Sequence, residues 1–244
     1  MNDIGINVGF RIIKYYIWQQ FFFHYQVKKA KESPSYDKLT LTMKEFEKDK
    51  PTFQKKPLSD CTFTIFDLET TGFFPEIGDE IISIGAVKVK DQQVNYEDSF
   101  YQVINPLQTV SKETKMFTGL RRKDFLSGVT FPIGLEKFLE FSKGTILVAH
   151  PASFDINFLQ SRMQKWRLPS FDPEYIDSFG LANELLDCTD SYLDKLVERY
   201  QINSRKRHHA LNDAIMTAEV FIKLLQESKA TPIKTIHDLK EQLA

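Results

Sequence analysis

Cysteine is scarce in this sequence. Its two cysteines, Cys61 and Cys188, stand far apart and without the spacing of a metal site. That excludes a disulfide framework, and a reducing cytoplasm is the expected compartment. An excess of charge of one sign is lacking too: 32 basic and 33 acidic side chains leave a formal charge of -1. No global basic signal for nucleic acid follows from that balance. Nor does it exclude such a partner, because carboxylates that hold cations give back much of their negative charge once metal is bound. A clean membrane-spanning run is also missing. The aromatic-rich stretch over residues 4–27 is interrupted by Arg11, Lys14, Gln19, Gln20 and His24, which makes a poor transmembrane helix. No small-residue cleavage site follows a compact apolar region, so a signal peptide is not expected. With 42% hydrophobic and 27% charged residues, the composition is that of a soluble globular protein.

What is present falls into two parts. Residues 1–56 read as an N-terminal aromatic-rich helical arm, with Tyr15, Tyr16, Trp18, Phe21, Phe22, Phe23 and Tyr25, followed by Lys28, Lys29 and Lys31 and a polar linker rich in Lys and Glu. Residues 57–244 read as one α/β domain. Strands are predicted over 62–68, 81–90 and 94–104, the last two joined by the polar turn Asp91-Gln92-Gln93. A helix over 131–141, a short buried strand over 145–149, and a helix from an N-cap at Ser153 to Trp166 follow. A last strand over 175–177 and helices over 192–200, 210–225 and 236–243 complete the pattern. Three consecutive strands and then alternating helices and strands predict a mixed sheet flanked by helices.

Acidic residues mark the chemistry. In Phe66-Asp67-Leu68-Glu69-Thr70-Thr71-Gly72, Asp67 and Glu69 are two apart at a strand end and share a face. Two carboxylates so placed repel unless cations sit between them, and oxygen ligands of this kind suit Mg²⁺ or Mn²⁺. Asp155, in Ala149-His150-Pro151-Ala152-Ser153-Phe154-Asp155, falls in a first helical turn after a buried strand. Taken alone, it reads as an acid favoured by the helix dipole. Asp213, in His208-His209-Ala210-Leu211-Asn212-Asp213-Ala214, opens a helix that is apolar on most of its circumference. An acid there needs a partner, and a metal is the natural one. His208, in the lead-in loop, can reach the same place.

Together, the three segments in this order and separation resemble the DEDD exonuclease superfamily, in its histidine-containing branch typified by the proofreading epsilon subunit of bacterial DNA polymerase III. The resemblance spans about residues 61–228. It implies a ribonuclease H-like fold, with the arm as an N-terminal helical extension. It also implies that Asp67, Glu69, Asp155 and Asp213 bind two Mg²⁺ or Mn²⁺ ions. His208 is implied as the general base rather than His209, since it alone stands five before the acid. Substrate contacts are implied at Asp67, Glu69, Thr70, Glu113, Thr118 and Phe154, and a supporting role at Asp177. Pro151 departs from the pattern, where Asn often follows the motif's histidine.

The activity implied is 3′–5′ hydrolysis of DNA at a single-stranded or frayed 3′ end, releasing nucleoside 5′-monophosphates in proofreading or repair. Alternatives are an RNA-trimming enzyme of the same fold and a catalytically silent interaction module. The basic run Arg205-Lys206-Arg207 is expected to neutralise the substrate backbone. Three coverings of the arm are open: the nuclease itself, a protein partner such as a polymerase, or a membrane surface.

Overall fold

The computed structural model describes residues 20–48, 56–187, 189–228, 234–235, 237–238 and 241. Tyr15, Tyr16, Trp18, Cys188 and most of the helix predicted over 236–243 lie outside them. Five strands form one mixed sheet: β1 Phe63–Thr70, β2 Ile81–Lys90, β3 Gln93–Val103, β4 Ile146–Ala149 and β5 Tyr175–Asp177, in the order β3-β2-β1-β4-β5. β2 runs antiparallel to β1 and β3, while β1, β4 and β5 are parallel. The β2–β3 hairpin turns at Asp91 and Gln92, both at left-handed φ (51° and 57°). Two such residues match the right-handed twist of the strands they join.

Alternation along β1 sets one large core on each face of the sheet, and a smaller third cluster joins Ile82, Val110, Leu120 and Phe125. Phe66 and Leu68 face helix α5 (Phe131–Phe141) and helix α6 (Ala152–Lys165). Phe63 and Ile65 face helix α9 (Ala210–Glu227), with α7 (Ser178–Leu186) and α8 (Leu193–Arg199) beside it. Ring pairs Phe66–Phe138 and Phe63–Phe221, with centroids 5.2 and 5.1 Å apart, anchor the two sides. The predicted mixed sheet flanked by helices is therefore the fold observed.

Three short helices were not predicted: α3 (Lys112–Thr118), α4 (Arg122–Ser127) and α7. Yet α3 carries ordinary signals at both ends. Ser111 Oγ accepts the Thr114 N–H, and Gly119 closes the helix at φ 75°. Helix α6 begins at Ala152 with Pro151 in the cap position, so Ser153 is not its N-cap.

The N-terminal segment holds helices α1 (Gln20–Lys31) and α2 (Pro34–Lys48). Part of the stretch read as a polar linker is thus helical. Tyr36, Leu39, Met43 and Phe46 recur every three or four residues along α2 and are buried in the core beneath α5. Tyr36 Oη donates to Arg167 O at 2.6 Å, and Thr42 Oγ1 donates to Glu140 at 3.0 Å. Lys38 pairs with Glu136, and Lys143 with Glu45. Charge on the outer face hides this stripe when the sequence is read by composition. No helix among the described residues is long and apolar enough to cross a membrane.

Candidate active site

Asp67 and Glu69 continue the β1 face that carries Phe63 and Ile65, so they project toward α9. Asp213 meets them from the first turn of α9. The approach depends on Gly85, which pairs with Asp67 across β2. A Cβ on Gly85 would lie 2.1 Å from Leu211 N and 2.2 Å from the Ala210 carbonyl carbon. Only a bare Cα lets the start of α9 rest on the sheet at this point. From the other layer, α6 leaves β4 and brings Asp155 in its first turn, where the Leu68 N–H donates to the carboxylate.

These acids crowd one another out of water. Burial first, then the charges of Asp155, Asp213 and Glu69, hold Asp67 well above the ordinary carboxylate range. Asp155 is pushed well up by burial too, with Asp177 and Glu69 adding to it against the Leu68 hydrogen bond. Burial and then Asp213 raise Glu69 to about 7. Asp213 is raised by burial and held back by Arg207. Four carboxylates with one guanidinium beside them remain short of positive charge, and an all-oxygen donor set with an imidazole nearby fits a hard divalent cation. Ligand atoms of Glu69, His208 and Asp213 all lie within 4.8 Å of one another.

The two adjacent histidines part company. His208 sits at φ 59°, a left-handed conformation, and its N–H donates to Asp213 Oδ2 at 3.0 Å. That geometry turns its ring toward the acids, edge-on to Phe117 at 5.6 Å. His209 instead stacks on Tyr101, with centroids 4.5 Å apart and planes 17° from parallel. It lines a separate polar cavity with Lys206 and Asp124.

A cavity of about 470 Å³ opens over the acids. Phe73 and Phe117 stand at its mouth, 75% and 63% exposed, and Phe154 packs against Phe73 with centroids 6.2 Å apart. Thr70, Glu113 and Thr118 also line it. The Thr118 hydroxyl is engaged with backbone, donating to Thr114 O at 2.9 Å and accepting from Leu120 N at 3.3 Å. Thr70 Oγ1 likewise donates to Gly72 O. Glu113 is fully exposed at the start of α3, its carboxyl held below the usual range by its own N–H and by Ser111.

Two supporting residues, Asp79 and Glu80, gave no recognisable sequence signal, whereas a supporting role was expected of Asp177. Asp79 accepts from Thr71 Oγ1 and Phe74 N, which shapes the Thr-Thr-Gly loop. Glu80 makes a buried ion pair with Arg162 of α6 at 3.0 Å. Asp177 accepts from Phe179 N and Gly180 N to cap α7, and its second oxygen accepts from Ser153 N. It thereby fixes the start of α6, where Asp155 resides. His150 bridges Ser178 Oγ and Ser191 O, and burial lowers its pKa to about 4. The run Arg205-Lys206-Arg207 is not a uniform solvated patch: Arg205 pairs with Glu219, Lys206 leans over Gly119, and Arg207 contacts Asp194 and Asp213.

Residues 64–221 match the exonuclease family. The chain belongs to that family. The match takes in all four acids and His208, and the family is divalent-metal dependent. The chain is 36% identical over 182 residues to a DNA polymerase III PolC-type of Caldanaerobacter subterraneus subsp. tengcongensis, covering 74% of the chain and 13% of that protein. It is 28% identical over 179 residues to the 3′–5′ exonuclease DinG of Bacillus subtilis, covering 73% and 19%. The chain thus spans a small part of the length of these relatives. Among solved structures, the nuclease domain of 3′hExo, a DEDDh family member bound to rAMP, shares the fold with a TM-score of 0.62 at 24% identity, over 70% of this chain and 95% of that one.

Proposed function

We propose that this exonuclease-family chain removes nucleotides from the 3′ end of a DNA strand and releases nucleoside 5′-monophosphates. The observation that carries the reading is the convergence of His208 with Asp67, Glu69, Asp155 and Asp213 beneath a cavity with aromatic walls. Two Mg²⁺ or Mn²⁺ ions held by these carboxylates would supply the Lewis acidity that stabilises negative charge on the phosphoryl oxygens. His208, anchored through its N–H and with its ring in the cavity, takes the proton of the attacking water. Phe154, Phe73 and Phe117 offer ring faces to unstacked bases, which suits a single-stranded or frayed end. Thr70, Glu113 and Thr118 contribute shape and polarity around the terminal nucleotide.

DNA is preferred over RNA because relatives at 28–36% identity are named as a DNA polymerase and a 3′–5′ exonuclease. The RNA reading has its own support in a shared fold with a nuclease seen bound to rAMP. A proofreading role beside a polymerase, in the cytoplasm, rests on the polymerase relatives. Matched 5′-labelled DNA and RNA oligonucleotides, incubated with Mg²⁺, decide between the substrates. A ladder shortening from the 3′ end of DNA, abolished in Asp67→Ala, is the expected result. Degradation of RNA alone, or an Asp67→Ala protein that cuts at the wild-type rate, would refute the proposal.

A further inference from the structure

Arg207 stands at the edge of the acid cluster and is engaged twice. Its Nη1 lies 2.6 Å from Asp213 Oδ1, and its Nε donates to Asp194 Oδ1 at 2.7 Å. The two carboxylates differ in kind. Asp213 is buried among acids, whereas the Asp194 side chain, at the start of α8, is 73% exposed. Arg207 itself is one-third exposed and lines the cavity beside Asp67, Glu69 and His208. One oxygen of Asp213 accepts the His208 N–H, while the other is ion-paired with this guanidinium at 2.6 Å but left without a hydrogen bond. A divalent cation drawn to Asp213 meets a fixed positive charge already seated there.

We propose that Arg207 is an exchangeable counter-cation of the site: it neutralises Asp213 in the protein without metal, yields that carboxylate to a divalent cation, and, still tethered to Asp194, turns to a phosphate of the substrate strand. Arginine suits both tasks. Its planar fork pairs with carboxylate and phosphate alike and stays charged throughout. Asp194 is what keeps the released guanidinium at the cavity instead of in bulk water. The direction of the other shifts agrees, since Arg207 opposes the charge pressure on Asp67 and Glu69 as well as on Asp213. The phosphate half of the proposal rests on the nuclease reading, while the metal half does not.

The test uses the full chain and begins without substrate. Mn²⁺ is titrated calorimetrically into wild type, Arg207→Gln and Asp194→Asn. Breaking a charge-assisted contact of this kind is worth about 10- to 100-fold in an equilibrium. Arg207→Gln should therefore bind Mn²⁺ tighter by about that factor. Asp194→Asn, which leaves Arg207 with Asp213 alone, should bind Mn²⁺ more weakly. Unchanged or weaker Mn²⁺ binding in Arg207→Gln overturns the exchange. If that variant melts as an unfolded chain, Asp194→Asn decides alone, and unchanged affinity there overturns it.

The phosphate contact is read from the Kd of a labelled single-stranded oligonucleotide, with Ca²⁺ in place of Mg²⁺, across a salt series. Losing one phosphate contact lowers the slope of log K against log salt by about 0.7. A purely structural arginine would leave that slope unchanged, and an unchanged slope in Arg207→Gln sinks the phosphate half. A protein that binds Mn²⁺ as stated yet cleaves neither DNA nor RNA would overturn the function reading and leave the exchange standing.

Discussion

Replacing Gly85 by alanine is expected to cost this enzyme most of its activity without unfolding it. The new methyl group would lie 2.1 Å from Leu211 N, 2.2 Å from the Ala210 carbonyl carbon and 2.5 Å from its oxygen, where ordinary contact begins near 3.4 Å. All three are backbone atoms in the first turn of α9, so no side chain can swing aside. The start of the helix must withdraw by more than 1 Å, and it carries Asp213 and the anchor of His208 with it. Misplacing reacting groups by 1 Å costs about 100-fold in rate. Overpacking of this sort destabilises by about 1–3 kcal/mol, which for a domain of this size lowers Tm by about 2–12 °C. Initial rates on a 5′-labelled oligonucleotide, with melts run on the same samples, provide the assay. Gly144→Ala is the control: Gly144, unlike Gly85, sits at left-handed φ, but nothing lies within 4 Å of the added carbon. Its activity per folded molecule should stay at the wild-type level. A Gly85→Ala enzyme with wild-type kcat/KM would refute the claim that this contact sets the position of Asp213.

Other expectations follow from the same geometry. Leu39→Ala removes a fully buried side chain of α2 and should cost about 2–5 kcal/mol, seen as a Tm fall of about 4–20 °C; removal of residues 1–56 should destabilise further, and an unchanged melt would show that α2 is dispensable to the fold. His208→Ala should slow hydrolysis by about 10²–10⁴-fold, whereas His209→Ala, which loses a stack on Tyr101, should act mainly on stability; equal kinetic losses would contradict the assignment. Glu69 is raised from 4.5 to about 7 in the folded protein, so the fold holds its proton more tightly than the unfolded chain does. In EDTA that contribution to stability is full below pH 4.5 and lost as pH rises through about 7. Saturating Mg²⁺ at pH 8 should restore the Tm, and a metal-independent Tm there would count against the cation site.

The acids were legible as a set. Asp67 and Glu69 share a face through the two-residue period of a strand, and Asp155 and Asp213 stand at helix starts, but singly each reads as an ordinary acid; only the resemblance carried by the three segments together singled them out. Spacing from Asp213 also separated His208 from His209, although the reason for it, a left-handed backbone at His208, is visible only in three dimensions. What was hidden depends on tertiary contact. Asp194 and Arg207 are thirteen residues apart and meet because α8 folds back beside the α9 lead-in. Helix α2 passed for a linker because its apolar residues are few, although their spacing of three and four is helical. At Thr118, one of the residues expected to touch substrate, the hydroxyl is engaged by the backbone of its own helix end, a contact that residue type alone does not reveal.

The placing of one large core on each face of the sheet has a further consequence for how this protein moves. Asp155 belongs to the layer of α5 and α6, Asp213 to the layer of α9, and Asp67 and Glu69 to the strand between them. A cation shared among these groups would act as a rivet through the sheet, joining the two layers at the end of β1. Amide exchange in the first turns of α6 and α9 should then slow in concert on cation loading, although the two turns lie on opposite faces. The nuclease would stiffen across its thickness at the moment it becomes competent, with substrate arriving where the cation fastens the layers.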